Sequence, residues 1–194
     1  MTDAPAPIGP PAIAALKLFI QAAQQVPDDS WDKPSNLDEW SVRELVAHAT
    51  GSATKIITLI EGGEVWAGPS APADFTADDP MARLHELDAR LAEALPGADL
   101  DAPRVTPQGE VPLRRVLALP VCDLAIHSWD LHRSLGGSLE LPYALLVFCR
   151  RLVDSVPEDA LRRPGGFGPA QPVPDGASPT VTLMAFLGRA VGPA

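Results

Sequence analysis

The sequence predicts an all-α fold, a helical bundle followed by a loop-rich C-terminal tail. Three observations carry this expectation. Apolar residues recur at three-to-four spacing in five stretches of helical length, helix start signals precede several of them, and no stretch alternates strongly enough to mark a strand. With 194 residues, 46% apolar and 21% charged, the chain has an ordinary globular composition and enough length to bury a core.

The first helix is expected over residues 11–26, where Ile13, Leu16, Leu18, Phe19, Ala22 and Val26 share one face. The polar segment PDDSWDKPSNLDEW (27–40) then reads as a loop folded back on the body. Ser41 followed by Glu44 is a capping box, with Trp40 and Leu45 placed as a hydrophobic staple. The second helix therefore opens there and runs to about Leu59, with Val42, Leu45, Ala49, Ser52, Ile56 and Leu59 facing inward. Residues 64–79 form a loop. Asp79-Pro80 starts a third helix lined by Leu84, Leu87, Leu91 and Leu95, and residues 97–110 form a second long loop. A fourth helix opens near Val111 and carries Leu113, Val116, Leu117, Pro120, Asp123, Leu124, His127 and Leu131 on its inner stripe. Pro120 lacks an amide hydrogen and is expected to kink it. A fifth helix spans about 142–156. Ser178-Pro179 begins a short last one, capped at Gly188. The expected organisation is a helical bundle over 1–160 and an extension over 161–194 that packs on it.

Net charge is −10 and the isoelectric point about 4.7. Such a surface repels nucleic-acid phosphates and anionic membranes, so neither is an expected partner. No apolar run reaches the roughly 18 residues of a membrane span, and MTDAPAPIGPP lacks the pattern of a signal peptide. Cys122 and Cys149 have no paired-motif spacing, which argues against a structural disulfide and for a reducing cytoplasm.

Within DLAIHSWDLH (123–132) an acid and a histidine interrupt the apolar stripe. Asp123 and His127, four apart, project from one helix face. His48 points inward from the second helix, three residues after Leu45. Two readings compete for these three residues. They form either a hydrogen-bonded polar patch in the core or a metal site of two imidazoles and a carboxylate, the composition of an open zinc centre that also suits iron, nickel or manganese. Buried charge needs compensation, and a divalent cation supplies it. Around them, Asp130, three residues after His127, is read either as orienting the free ring nitrogen of His127 or as making an N-terminal helix bond or surface pair. His132 lies well round the helix, as a surface or supporting residue. His85 sits among charges in RLHELDAR, on a solvated face. Cys122 reads as a buried inert thiol. The GGFG at 165–168 is a turn signal. HExxH, GxSxG and phosphate-cradling glycine loops are absent.

Three segments together, EWSVRELVAHATG (39–51), DLAIHSWDLHRSLG (123–136) and GGFGPAQPVPDGASPTVTLMAFLGR (165–189), resemble the actinobacterial DinB-like proteins related to mycothiol-dependent maleylpyruvate isomerase. The resemblance covers nearly the whole chain. It implies a DinB/YfiT-like four-helix bundle with additional short helices, and a metal held by His48, Asp123 and His127. The sequence departs from the isomerase pattern in two places. A Glu is expected where Asp123 stands, and the roughly forty residues after the fifth helix are too few for that enzyme's separate C-terminal domain. Arg189 matches a recurrent feature of smaller relatives. It is read either as a site for an anionic substrate or as a surface arginine near a helix C-terminus.

The functional expectation is a cytoplasmic, metal-dependent isomerase or S-transferase that uses a small thiol, mycothiol, on a small electrophilic substrate. Zinc is the first choice of ion, and the residues performing catalysis are not assigned. The alternatives are a non-catalytic metal- or small-molecule-binding protein and a purely structural bundle. A homodimer is the expected assembly, since exposed bundle faces often pair.

Overall fold

Apolar side chains at every third or fourth position leave a helix one buried face, and four such faces close round a common core. The computed structural model, which describes residues 7–37, 39–106, 109–162 and 166–192, builds this core from α1 (Gly9–Ala23), α2 (Val42–Ile60), α3 (Pro80–Ala94) and α4 (Leu113–Ser134). The helices neighbour one another in the ring order α1–α4–α2–α3, with α3 closing back on α1. Phe19, Leu16, Leu45, Ile56, Leu84, Leu87, Leu117 and Leu124 are among the fully buried side chains.

The helix starts follow from their caps. Ser41 Oγ accepts from the Glu44 amide at 3.3 Å while Glu44 Oε2 accepts from the Ser41 amide at 2.8 Å, the reciprocal capping box. Asp79 accepts from the Ala82 amide ahead of α3, with Pro80 at the first helical position. Helix α1 begins at Gly9 and ends at Ala23, slightly earlier at both ends than the periodicity suggests. Its prolines occupy the first turn, where their missing amide hydrogens cost nothing. Val26 stays buried just beyond the end, which is why the apolar pattern overruns the helix. Helix α4 continues as one element through Pro120.

The second long loop requires a correction. Residues Pro103–Thr106 (β1) and Gly109–Pro112 (β2) pair antiparallel, with Arg104 opposite Val111 and Val105 opposite Glu110. Strands this short show no period in sequence, and their flanking prolines read as loop. Their pairing also delays the start of α4 to Leu113, two residues past the expected position.

Beyond the ring, α5 (Tyr143–Asp154) packs on α4 and α1, a four-residue α6 (Glu158–Leu161) follows, and α7 (Pro179–Phe186) packs on α5. Ser178 caps α7 through the Val181 amide. Leu183, Met184 and Leu187 are buried in the same cluster as the bundle helices. Among the described residues, no helix is long and apolar enough to cross a membrane. Part of the expected GGFG turn, and of the opening MTDAPAP segment, lies outside the described residues.

Candidate metal centre

Residues 48, 52 and 55 follow one another at spacings of four and three, so α2 presents His48, Ser52 and Lys55 along a single stripe. Opposite them, α4 presents Asp123 and His127. The packing of α2 on α4 brings one ligand atom from each of His48, Asp123 and His127 within 4.8 Å of the others. His48 Nε2 stands 3.3 Å from Asp123 Oδ2, and His127 Nε2 stands 3.3 Å from Asp123 Oδ1. The two imidazoles meet edge to face, with centroids 4.8 Å apart, and Trp40 stacks on His48 at 4.6 Å.

Each ring is fixed from behind. His48 Nδ1 donates to the Ser70 carbonyl at 2.7 Å, and His127 Nδ1 donates to Asp130 Oδ2 at 2.9 Å. A carbonyl and a carboxylate are acceptors only, so both Nδ1 atoms carry hydrogen. Both rings therefore turn the same atom, Nε2, toward Asp123. Each Nε2 meets that carboxylate either with a proton, as imidazolium, or with a lone pair, which requires a cation between them. Neutral imidazoles held through Nδ1 by oxygen acceptors are the usual arrangement of metal-bound histidines. The donor set thus fits a divalent ion held by His48, Asp123 and His127.

Charge and exposure agree with this geometry. Burial disfavours the charged form of His127, but Asp123 and Asp130 beside it prevail and raise its pKa to about 9. Burial likewise opposes ionisation of Asp123, yet His127 and His48 hold its carboxyl well below the usual range. Asp123 also accepts from Ser52 Oγ at 2.6 Å, which pins the short side chain. The His48 and His127 side chains are 8% and 5% exposed against 24% for Asp123, so the centre opens to solvent on the carboxylate side.

The loop over residues 64–79 supplies what the helical pattern does not show. It reaches His48 because Gly51 has no side chain: a Cβ there would lie 2.4 Å from Ser70 Cβ. Lys55 donates to the Gly68 carbonyl and sits 4.8 Å over the Trp66 ring. Its pKa is lowered by burial, against the pull of Asp123. Ser70, Trp66 and Asn36 carry no periodic signal that marks them as site residues, because all three come from loops and Ser70 acts through its backbone. Lys55 does lie on the His48 stripe of α2, but its contact with the loop is not visible in that spacing.

The other sequence candidates separate cleanly. Asp130 is fully buried behind His127, where the i+3 spacing places it. Arg189 is not a surface residue: its side chain is 11% exposed and paired with Asp130 at 2.9 Å. His132 lies outside the converging set and lines a surface cavity of about 420 Å³ with Gln25, Lys33 and Val42. His85 is exposed and contacts Gln24. Cys122 and Cys149 are both free and buried, and hydrogen bonding to Cys149 together with burial pushes the Cys122 thiol well up, as expected for an inert thiol.

Comparison with known proteins agrees with this architecture. The crystal structure of the mycothiol-dependent maleylpyruvate isomerase superposes with a TM-score of 0.57 at 20% identity, over 73% of this chain and 65% of that one. A histidine-to-alanine mutant of the mycothiol-dependent maleylpyruvate isomerase superposes with a TM-score of 0.56 at 22% identity, over the same shares. The chain therefore matches somewhat less than two thirds of the length of these solved proteins, and at such identity the likeness establishes the fold. No curated protein sequence matches. The sequence profile of the mycothiol maleylpyruvate isomerase N-terminal domain, however, matches residues 14–132, which include all three converging donors and more than half of the chain. On that match, the chain belongs to the family of the mycothiol maleylpyruvate isomerase N-terminal domain.

Proposed function

We propose that this protein is a cytoplasmic metal-dependent enzyme in which His48, Asp123 and His127 hold a divalent ion, zinc first among the candidates. Its cosubstrate is a low-molecular-weight thiol, mycothiol, and its substrate a small electrophile. The observation that carries the reading is the orientation of both Nε2 atoms toward one solvent-facing carboxylate, with both Nδ1 hydrogens already committed. An ion bound there supplies Lewis acidity that favours the thiolate form of an incoming thiol at neutral pH.

The chain's own groups set the conditions for that chemistry. Ser70 and Asp130 lock the ring orientations, and Ser52 holds Asp123 in place. Trp40 walls the His48 side and keeps water from that face. Exposure on the Asp123 side gives the thiol and the electrophile their approach. Reversible addition of the thiol across an activated double bond allows rotation about the resulting single bond, and expulsion of the same thiol then yields the other geometric isomer. Addition without expulsion is S-transfer. Family membership favours a thiol partner. The shorter length beside the solved isomerases leaves the electrophile a separate question.

The test is turnover of an electrophile panel by the purified protein with mycothiol, with and without added zinc. Turnover requiring both metal and thiol is the expected result. Metal-independent turnover, or none with any thiol, overturns the enzymatic reading. Tight zinc binding without turnover would instead assign a binding role.

A further inference from the structure

Behind His127 lies a buried carboxylate whose neutralising charge comes from the far end of the chain. Asp130 has no exposed surface. Its Oδ1 accepts from Asn36 Nδ2 at 2.8 Å and from Arg189 Nε at 3.2 Å. Its Oδ2 accepts from Arg189 Nη2 at 2.9 Å and from His127 Nδ1 at 2.9 Å. The guanidinium is therefore turned inward on a carboxylate, in the bidentate geometry that arginine alone supplies. Its remaining Nη1 reaches the Leu187 carbonyl at 3.4 Å, and the group lies 5.7 Å over the Phe167 ring.

The end of α7 is built to aim Arg189 there. Gly188 adopts φ +84°, a left-handed conformation suited to glycine. Its amide donates to the Ala185 carbonyl, and the Arg189 amide donates to the Met184 carbonyl, which together close the helix end. A Cβ on Gly188 would lie 2.7 Å from the Gly168 backbone. Two glycines thus let the chain turn tightly and send the next side chain into the bundle.

We propose that Arg189 is a positioning residue of the metal centre. By neutralising Asp130 it keeps that carboxylate facing His127 Nδ1, and so keeps His127 Nε2 directed at Asp123. The centre formed by α2 and α4 is complete only when the C-terminal segment is docked. This inference rests on the metal-binding reading of His48, Asp123 and His127. A buried carboxylate deprived of its cation is costly, and its surroundings relax by admitting water or turning the group away from His127.

The experiment is zinc affinity of the full chain by competition with a chromophoric chelator, alongside helicity and thermal unfolding of the metal-free protein. Arg189→Met and Asp130→Asn should each weaken zinc binding by about 10- to 100-fold. Arg189→Lys, which keeps the charge but loses the fork, should fall between Arg189→Met and the unmodified protein. Arg189→Met added to Asp130→Asn should change affinity by less than about threefold, because the arginine acts through the aspartate. A folded Arg189→Met that binds zinc within about twofold of the unmodified chain overturns the proposal, as do independent, multiplying effects of the two substitutions. Should Arg189→Met not fold, Arg189→Lys decides: weakened binding supports the proposal and unchanged binding overturns it. Failure of the unmodified protein to bind zinc at all would instead remove the metal site itself.

Discussion

At the scale of single residues, the centre is an exception to hydrophobic patterning. His48, Asp123 and His127 were legible because each interrupts an apolar helical stripe, and polar groups at such positions need a reason. The i+3 spacing of Asp130 from His127 marks it as a partner but leaves a surface pair equally open, and only its burial decides between the two. Asn36 and Ser70 were not legible, because loop residues have no period and Ser70 contributes only its carbonyl. The burial of Arg189 could not be read either, since it depends on how the chain turns at Gly188. The protonation of His127 gives a prediction with a definite sign. Its pKa is raised from an ordinary 6.5 to about 9, so in the metal-free protein its stabilising contribution is complete below about pH 6.5 and is lost as pH rises through about 9. Zinc needs the deprotonated Nε2, so zinc affinity should run the opposite way, rising across that interval and levelling above it. Unfolding and buffered zinc titrations at several pH values check this. Affinity that stayed flat across the interval would contradict the assignment of His127 as a ligand.

At the scale of elements, the expected bounds of α1, α2, α3 and α5 lie within about three residues of the observed ones and α4 starts two residues late, because caps and apolar faces are local properties. The hairpin at 103–112 was not legible, since its stability comes from pairing across a turn and not from a pattern within either strand. The 64–79 loop was placed correctly as a loop, but its contact with α2 was invisible. That contact depends on Gly51, where any side chain meets Ser70 and Phe75. Gly51→Ala should destabilise the fold by about 1–3 kcal/mol through overpacking and should also weaken zinc binding by releasing His48 Nδ1 from the Ser70 carbonyl. Thermal unfolding together with chelator competition reads both effects. A loss of stability with zinc affinity unchanged would show that the loop merely packs on α2 and does not hold the histidine.

At the scale of the whole molecule, the bundle brings His48 to the Asp123–His127 pair from 75 positions or more away in the chain. Periodicity gives which face of α2 and of α4 is buried, but not that these two helices are neighbours in the ring. That adjacency is a tertiary fact, and the chemistry depends on it. It also means that an ion held between α2 and α4 links two helices of the core, so binding to the folded chain alone must stabilise the whole fold. The most direct test is the metal content of freshly purified protein, compared with a His48→Ala, His127→Ala double variant. About one zinc or similar divalent ion per chain is expected in the unmodified protein and almost none in the variant. Equal metal content in both would contradict that expectation.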